Sequence, residues 1–378
     1  MILSKKTFRT IPSIDWLLLG AIIPIILGGL FTMSSFADSN IFFNRQIIWI
    51  GISLLVFFFL STIDFKFLRK TGIIFGIYVG IVSILILLYV LGVTVKGAQG
   101  WFSFGAFSIQ PSEFAKLALI LLLAKYFSRR HIEIKNLRHI IVSGVYAGII
   151  FVLVALQPDF GSAIIIFSIW FGMVLVSGIS KKHVLLVFML VALVVGLLWN
   201  FVFYEYQKQR IMNFIHPLQD IRGTGYNAYQ STITVGSGQI VGKGLGYGTQ
   251  SRLKFLPEYQ TDFIFAAYAE EWGFVGVLIL FGLYGMVLWR ILKTAVNGAT
   301  NFEILFGAGI TIMFVAHLLV HIGMNVGIMP VTGITIPFMS YGGSHLLVSF
   351  IALGILQSMR RYSNSVHKDT MKNEFLGV

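Results

Sequence analysis

The chain has no cysteine, which excludes disulfides, thiolate metal sites and cysteine nucleophiles and leaves the redox compartment unread. It is also poor in charge: 11% of its 378 residues are Asp, Glu, Lys or Arg, whereas 57% are hydrophobic. Soluble domains carry about 25% charged residues, so these few could not cover a water-facing surface of this size. A soluble globular enzyme is excluded, and most of the chain must face lipid. The charges are unbalanced, 28 Lys and Arg against 15 Asp and Glu, for a formal net charge of +13. In a lipid-facing chain that excess points to loops on an anionic leaflet or to an anionic lipid substrate, and not to nucleic acid.

What is present instead is long apolar runs. A spanning helix needs about 20 mostly apolar residues, and ten segments are candidates: 14–34, 46–63, 71–94, 112–127, 140–156, 160–179, 183–204, 263–289, 303–327 and 342–359. The fourth and fifth are short, and the fourth carries Glu113 and Lys116 in its first turns. Lys5, Lys6 and Arg9 precede the first segment as in a signal peptide, but the apolar run exceeds the roughly 7–15 residues of such a region, so it is read as a retained helix. Short loops on one side carry Lys and Arg in groups, among them Lys66, Arg69 and Lys70; the short loops opposite hold only Arg45 and Lys96. Basic residues stay on the cytoplasmic side, which places both termini there.

The expected fold is an all-α polytopic membrane protein of ten transmembrane helices, a single integral membrane domain over residues 1–378. A large extracellular loop at 205–262 joins helices 7 and 8, and residues 360–378 form a cytoplasmic tail. The loop is rich in glycine, from Gly223 and Gly225 to Gly246 and Gly248, so tight turns and short amphipathic helices on the membrane are expected. No internal repeat is visible, which weighs slightly against a transporter built from inverted repeats.

With so few acids, each can be placed. Asp15, Asp38, Asp64, Glu133, Glu303, Asp369 and Glu374 fall at helix ends, in inner loops or in the tail and read as solvated charges, as do Glu205 and Asp220 in the outer loop. Glu113, Asp159, Glu258, Asp262, Glu270 and Glu271 remain, near outer helix ends or within a span. An acid at a helix centre costs about 2.5–3.5 kcal/mol on insertion scales and marks a site by default. The competing reading is helix capping after Pro111, Pro158 and Thr261. Gln110-Pro111-Ser112-Glu113, Gln157-Pro158-Asp159 and the stretch from Pro257 to Asp262 all fall at one face beside the glycine-rich loop, which favours a shared site.

Two further patterns are discounted. Gly242-Lys243-Gly244-Leu245-Gly246 is superficially similar to a nucleotide loop but lacks the strand–loop–helix frame. His317 and His321 have the spacing of a metal pair on a helix, yet no carboxylate follows either within their segment, and a buried hydrogen-bonded pair is expected.

Lys96-Gly97-Ala98-Gln99 with Trp101, then Gln110-Pro111-Ser112-Glu113-Phe114 with Lys116, resembles an outer-loop motif of the SEDS proteins, the shape, elongation, division and sporulation family of peptidoglycan polymerases. Gln157-Pro158-Asp159-Phe160-Gly161-Ser162 is similar to a second motif. Gly246-Tyr247-Gly248-Thr249-Gln250, running through Phe255-Leu256-Pro257-Glu258 to Thr261-Asp262-Phe263 and Glu270-Glu271, resembles the signature after the large loop. Asn325-Val326-Gly327, Pro330-Val331-Thr332-Gly333 and Pro337-Phe338-Met339-Ser340-Tyr341-Gly342-Gly343-Ser344 resemble the last. The wording around Gly248-Thr249-Gln250 and the short tails are closer to the elongation branch than to the division branch. Gly100, Gln239 and Gln260 depart from the family pattern, which usually has Arg, Gly and His there.

The resemblance implies polymerisation of lipid II, an undecaprenyl-pyrophosphoryl disaccharide pentapeptide, into β-1,4 glycan strands at the outer face of the bacterial cytoplasmic membrane. A glycosidase usually needs two carboxyl groups because an alcohol must be protonated as it leaves. A pyrophosphate leaves as a stabilised anion, so one carboxylate base suffices where cations or backbone donors meet the charge. Asp262, matching the family's catalytic Asp, is the expected base. Lys96, Lys116, Arg210, Lys243 and Arg252 form the pool of pyrophosphate ligands, Trp101 packs on sugar or lipid, and Glu113, Asp159, Glu258 and Glu270 complete the substrate-binding set. A divalent cation such as Mg2+ or Mn2+ has room to assist, with ligands the sequence does not assign. The implied partner is a single-pass class B penicillin-binding protein. The rival readings are a flippase for the same lipid and a non-catalytic scaffold of a cell-wall complex.

Overall fold

A computed structural model of the chain describes residues 14–35, 40–95, 98–104, 107–128, 137–180, 225–253 and 255–375, with scattered positions between 182 and 216. The protein is mostly helical. Trp16–Ser34 (α1), Asn40–Thr62 (α2) and Thr71–Leu91 (α3) come first, with a single 3-10 turn at Phe65–Arg69. Pro111–Ser128 (α4), Leu137–Leu156 (α5) and Phe160–Val176 (α6) follow. Tyr226–Ser237 (α7) and the one-turn Thr249–Arg252 (α8) belong to the glycine-rich loop, and Ile264–Val296 (α9), Asn301–Asn325 (α10) and Gly343–Phe375 (α11) close the described chain. Six of these helices are long and apolar enough to cross a membrane, and Phe160–Val176 is a shorter apolar helix. The chain is therefore a multi-pass membrane protein. The expected seventh span, 183–204, lies largely outside the described residues.

α4 explains why the fourth segment looks weak in sequence. Glu113, Lys116 and Lys125 interrupt its apolar run, yet nearly every residue from Pro111 to Ala124 is buried. A helix buried on all sides is the centre of the bundle, and α4 packs against α3, α6 and α10. Around it α2 pairs with α11 and α1 with α9.

The structure departs from the sequence reading in several places. The fold is not all-α: Val93–Val95 (β1), Ala98–Phe104 (β2) and Phe107–Ile109 (β3) form an antiparallel meander between α3 and α4, with Val93 opposite Trp101 and Phe102 opposite Ile109. This stretch is rich in Val, Phe and Trp, which favour a pleated surface. The final helix continues to Phe375, so the stretch expected as a cytoplasmic tail is helical that far. The helix after the loop reaches Val296 and is broken at Gly273, where φ is 64° and ψ is −169°. The portion beyond the break, Phe274 to Val296, is about 34 Å long at 1.5 Å per residue, enough to span by itself.

Asp15 and Glu303, finally, are not solvated charges. Asp15 accepts from Arg290 Nε at 3.0 Å and Arg360 Nη1 at 2.8 Å and also caps α1 at the Leu18 N–H. Glu303 takes Arg69 at 2.6 Å and the Ala299 N–H at 2.8 Å. Charges this far inside are tolerated only when paired and hydrogen-bonded. Their partners lie hundreds of positions away in some cases, which is why a single-sequence reading places them in water.

Candidate active site

The chain entering α9 makes a tight turn. Glu258 adopts a φ of 53°, a region that costs a non-glycine residue about 1–3 kcal/mol. The turn is held because the Glu258 carbonyl accepts from the N–H groups of Thr261 and Asp262 at 3.1 Å and of Phe263 at 3.2 Å. Thr261 Oγ1 also donates to Glu258 Oε2 at 3.2 Å. Three consecutive carbonyls on the turn are then gripped from elsewhere in the chain. The Tyr341 N–H donates to Gln260 O at 2.9 Å, Ser340 Oγ to Thr261 O at 2.9 Å, and Asn325 Nδ2 to Asp262 O at 3.0 Å. Asp262 is thus fixed from both sides of its backbone while its side chain stays partly exposed. It is not the helix cap: that position is Phe263, which makes no side-chain capping bond.

The carboxylate of Asp262 faces Gly333, where an added Cβ would lie 3.6 Å from Oδ2 and where φ is +75°. Gly333 belongs to a segment between α10 and α11 with no regular structure. Its carbonyl groups need partners in a buried setting: Tyr284 and Gln46 hold those of Pro337 and Ser340, and two histidines hold the pair beside Gly333. His321 Nδ1 donates to Ile334 O at 2.6 Å and His317 Nδ1 to Thr335 O at 3.0 Å. Both histidines are indeed buried and hydrogen-bonded, each through Nδ1 to a backbone carbonyl.

Asp159 and Glu113 are held by other parts of the bundle. Asp159 caps α6 through the Ser162 N–H at 3.0 Å and also accepts from Gln110 Nε2 at 2.9 Å and Ser112 Oγ at 3.3 Å. Asp159 therefore caps its helix and also ties the Gln157-Pro158-Asp159 stretch to the Gln110-Pro111-Ser112 stretch. Glu113 is buried and holds Lys116 Nζ at 2.6 Å and His345 Nδ1 at 2.8 Å. Because His317 Nδ1 donates to a carbonyl, its Nε2 is the acceptor and takes a second proton of Lys116 at 3.2 Å. Lys116 is fully buried.

Glu113, His317 and His345 offer ligand atoms within 4.8 Å of one another, the one such group among the described residues. They do not fit Mg2+ or Mn2+. The Lys116 ammonium already supplies the positive charge between Glu113 and His317, and hard divalent ions of this kind prefer oxygen donors to imidazole pairs.

The glycine-rich loop has a structural task that its composition conceals. The break at Gly273 frees the carbonyls of Glu270 and Glu271 and the N–H groups of Phe274 and Val275. The loop satisfies all four: Lys243 N–H reaches Glu270 O at 2.9 Å and Gly244 N–H reaches Glu271 O at 3.0 Å, while Phe274 and Val275 donate to the carbonyls of Gln239 and Ile240 at 2.9 and 3.1 Å. The Glu270 carboxylate, wholly buried, locks the splint by accepting from Lys243 Nζ at 2.7 Å, the Gln250 N–H at 3.1 Å and Thr249 Oγ1 at 3.2 Å. Glycine is required where backbones meet: a Cβ at Gly242, φ +88°, would stand 2.2 Å from Glu271 O, whereas Gly246, φ +76°, has nothing within 4 Å. Gly242→Ala is expected to undock the loop and speed its cleavage in limited proteolysis by about tenfold or more, with Gly246→Ala much milder because it meets only the backbone penalty.

α7 departs from the expected amphipathic helix on the membrane. Its buried face is polar, Gln230, Ser231 and Thr234, and it packs against α9 and α10. Trp101, on β2, is partly exposed, and Arg252 is exposed at the end of α8. Lys96 and Arg210 lie outside the described residues. Asn325, Ser340, Tyr341, His317 and His345 were not among the expected site residues, although three of them stand in the quoted motifs. The motifs carried that signal, but nothing in their wording says that they bind a turn some 60 to 80 positions earlier.

A multi-pass membrane protein with a partly exposed acid on a clamped turn, followed by a broken helix that a glycine-rich loop splints, is the class that fold and site define. The family model described as cell cycle protein, FtsW/RodA/SpoVE, matches residues 9–365, and the chain belongs to that family. It is 39% identical over 298 residues to peptidoglycan glycosyltransferase MrdB of Escherichia coli strain K12, covering 77% of this chain and 79% of that protein. It is 36% identical over 333 residues to stage V sporulation protein E of Bacillus subtilis strain 168, covering 87% and 89%. Among solved structures, a chain of a peptidoglycan synthase complex that coordinates polymerisation and crosslinking superposes with a TM-score of 0.80 at 31% identity, over 93% of this chain and 98% of that one. The rod shape determining protein RodA of Thermus thermophilus superposes with a TM-score of 0.69 at 29% identity, over 92% and 97%.

Proposed function

We propose that the chain is a peptidoglycan glycosyltransferase that polymerises lipid II at the outer face of the bacterial cytoplasmic membrane during cell elongation. The carrying observation is Asp262: a partly exposed carboxylate on a turn whose carbonyls are held at three consecutive residues. In this reading Asp262 takes the proton from the acceptor sugar's 4-hydroxyl as it attacks the anomeric carbon of the donor. Direct attack inverts the α-linked pyrophosphate to a β-1,4 bond, and the pyrophosphate leaves without protonation. Lys243 and Arg252, both among the described residues of the loop, are the proposed cations for its charge, with Lys96 and Arg210 as further candidates and Trp101 as a surface for sugar or lipid. Asp159 and Glu258 support the walls of the site through the bonds described above, and Glu113, Lys116 and Glu270 act from beneath the surface.

The proposal includes ten spans in one domain, both termini cytoplasmic, and the glycine-rich loop outside. α9 supports this polarity, since Asp262 precedes one end while Arg290, near the other, joins Asp15 and Arg360. A class B penicillin-binding protein is the proposed partner, in keeping with the crosslinking named for the related complex.

The flippase reading needs mobile charges along a path, but Glu113 and Lys116 are buried against each other. The test is the purified chain with lipid II in detergent, with and without the partner. New glycan is expected, whereas a flippase has no membrane to act across and would give none.

A further inference from the structure

We infer that Asn325 is a positioning residue for the reaction assigned to Asp262, a reading that rests on that assignment. Asn325 ends α10 and is fully buried, and its carboxamide bridges two helices and the turn. Nδ2 spends both its protons, on Asp262 O at 3.0 Å and His321 O at 2.8 Å, and Oδ1 accepts from the Ala266 N–H at 3.1 Å.

The Ala266 bond matters because α9 starts without a cap of its own. The first N–H groups of a helix need outside acceptors, and Asn325 supplies one from a different helix. One planar group therefore sets the start of α9 and the peptide that follows Asp262 relative to each other. Ser231 steadies the arrangement from the glycine-rich loop by donating to Asn325 O at 2.9 Å. A base must sit within hydrogen-bond reach of the proton it removes, and displacement of about 1 Å is enough to cost large factors in rate. Asn325 touches neither substrate nor carboxylate, and acts by holding the backbone from which that carboxylate projects.

The experiment compares Asn325→Asp, Asn325→Ala and Ser340→Ala in the full chain, using lipid II polymerisation and thermal unfolding in detergent. Asn325→Asp keeps the shape and the acceptor for Ala266, but turns an oxygen toward the Asp262 carbonyl where a donor is needed. It is expected to lower kcat by about tenfold or more with KM changed less than about twofold. Ser340→Ala, which frees the Thr261 carbonyl, keeps the inference testable if the Asn325 variants fail to fold, and is expected to show the same kcat-selective loss at about threefold. Unchanged kcat, or a loss confined to KM or explained by the fraction of protein unfolded, would overturn the inference. Asp262→Asn, run in parallel, separates the two levels: full activity in that variant removes the reading on which this one rests.

Discussion

Asp262→Asn is expected to leave the protein folded and to lower glycan synthesis from lipid II by about 10²–10⁴-fold in kcat, the range typical of losing a general base. The folding half of this expectation follows from how the turn is built. The bonds that fix it run to the backbone of Gln260, Thr261 and Asp262 and from the Asp262 N–H to Glu258 O, so a carboxamide of the same shape leaves those bonds in place. The chemical half follows from the leaving group. With a pyrophosphate departing as an anion, proton removal from the acceptor is the one proton transfer that the protein must perform, and Asn has no basic oxygen for it. The measurement is product length and rate on purified lipid II, with binding of the substrate assayed separately. Loss of synthesis with binding intact is the expected pattern; a variant that polymerises at the wild-type rate would show that the base lies elsewhere.

The helical scaffold was readable in the sequence because apolar runs of the right length announce spans locally. Pattern alone narrowed 15 carboxylates to six, and only the family resemblance singled out Asp262, whose role as base is the proposal. What supports the acid was not readable. Asn325, Ser340 and Tyr341 act through contacts across wide sequence gaps. The segment from Pro330 to Gly342 has no periodicity from which a fold could be inferred, since it is ordered by side chains from elsewhere in the chain, among them Gln46, Tyr284, His317 and His321. The glycine-rich loop was visible as a set of turns, yet its task depends on a break at Gly273 that no hydrophobic pattern marks. Asp15 and Glu303 misled for the same reason: burial of a charge is decided by its partner.

Lys116 separates a chemical role from a structural one. Its ammonium is fully buried and is shared by Glu113 at 2.6 Å and His317 at 3.2 Å. Lys116→Met preserves the length of the side chain but leaves the Glu113 carboxylate with His345 as its remaining described partner. Removing one member of a buried pair costs about 3–5 kcal/mol, because the other charge stays desolvated. A marked fall in the thermal unfolding midpoint in detergent is therefore expected. Glu113→Gln combined with Lys116→Met removes both charges and should recover most of the loss, since an apolar or neutral replacement of a whole buried pair is often near neutral. The double-mutant cycle then reads the coupling directly. A lysine that bound pyrophosphate would behave in the opposite way: Lys116→Met would raise the KM for lipid II with the midpoint unchanged, and the added Glu113→Gln would restore nothing. The His317 bond sharpens the distinction further, because the same imidazole that accepts from Lys116 donates to Thr335 O beside Gly333. Loss of the ammonium should therefore loosen the segment facing Asp262 and lower kcat in whatever fraction of the variant remains folded, a defect that the double variant, still lacking the ammonium, should retain even as its stability returns.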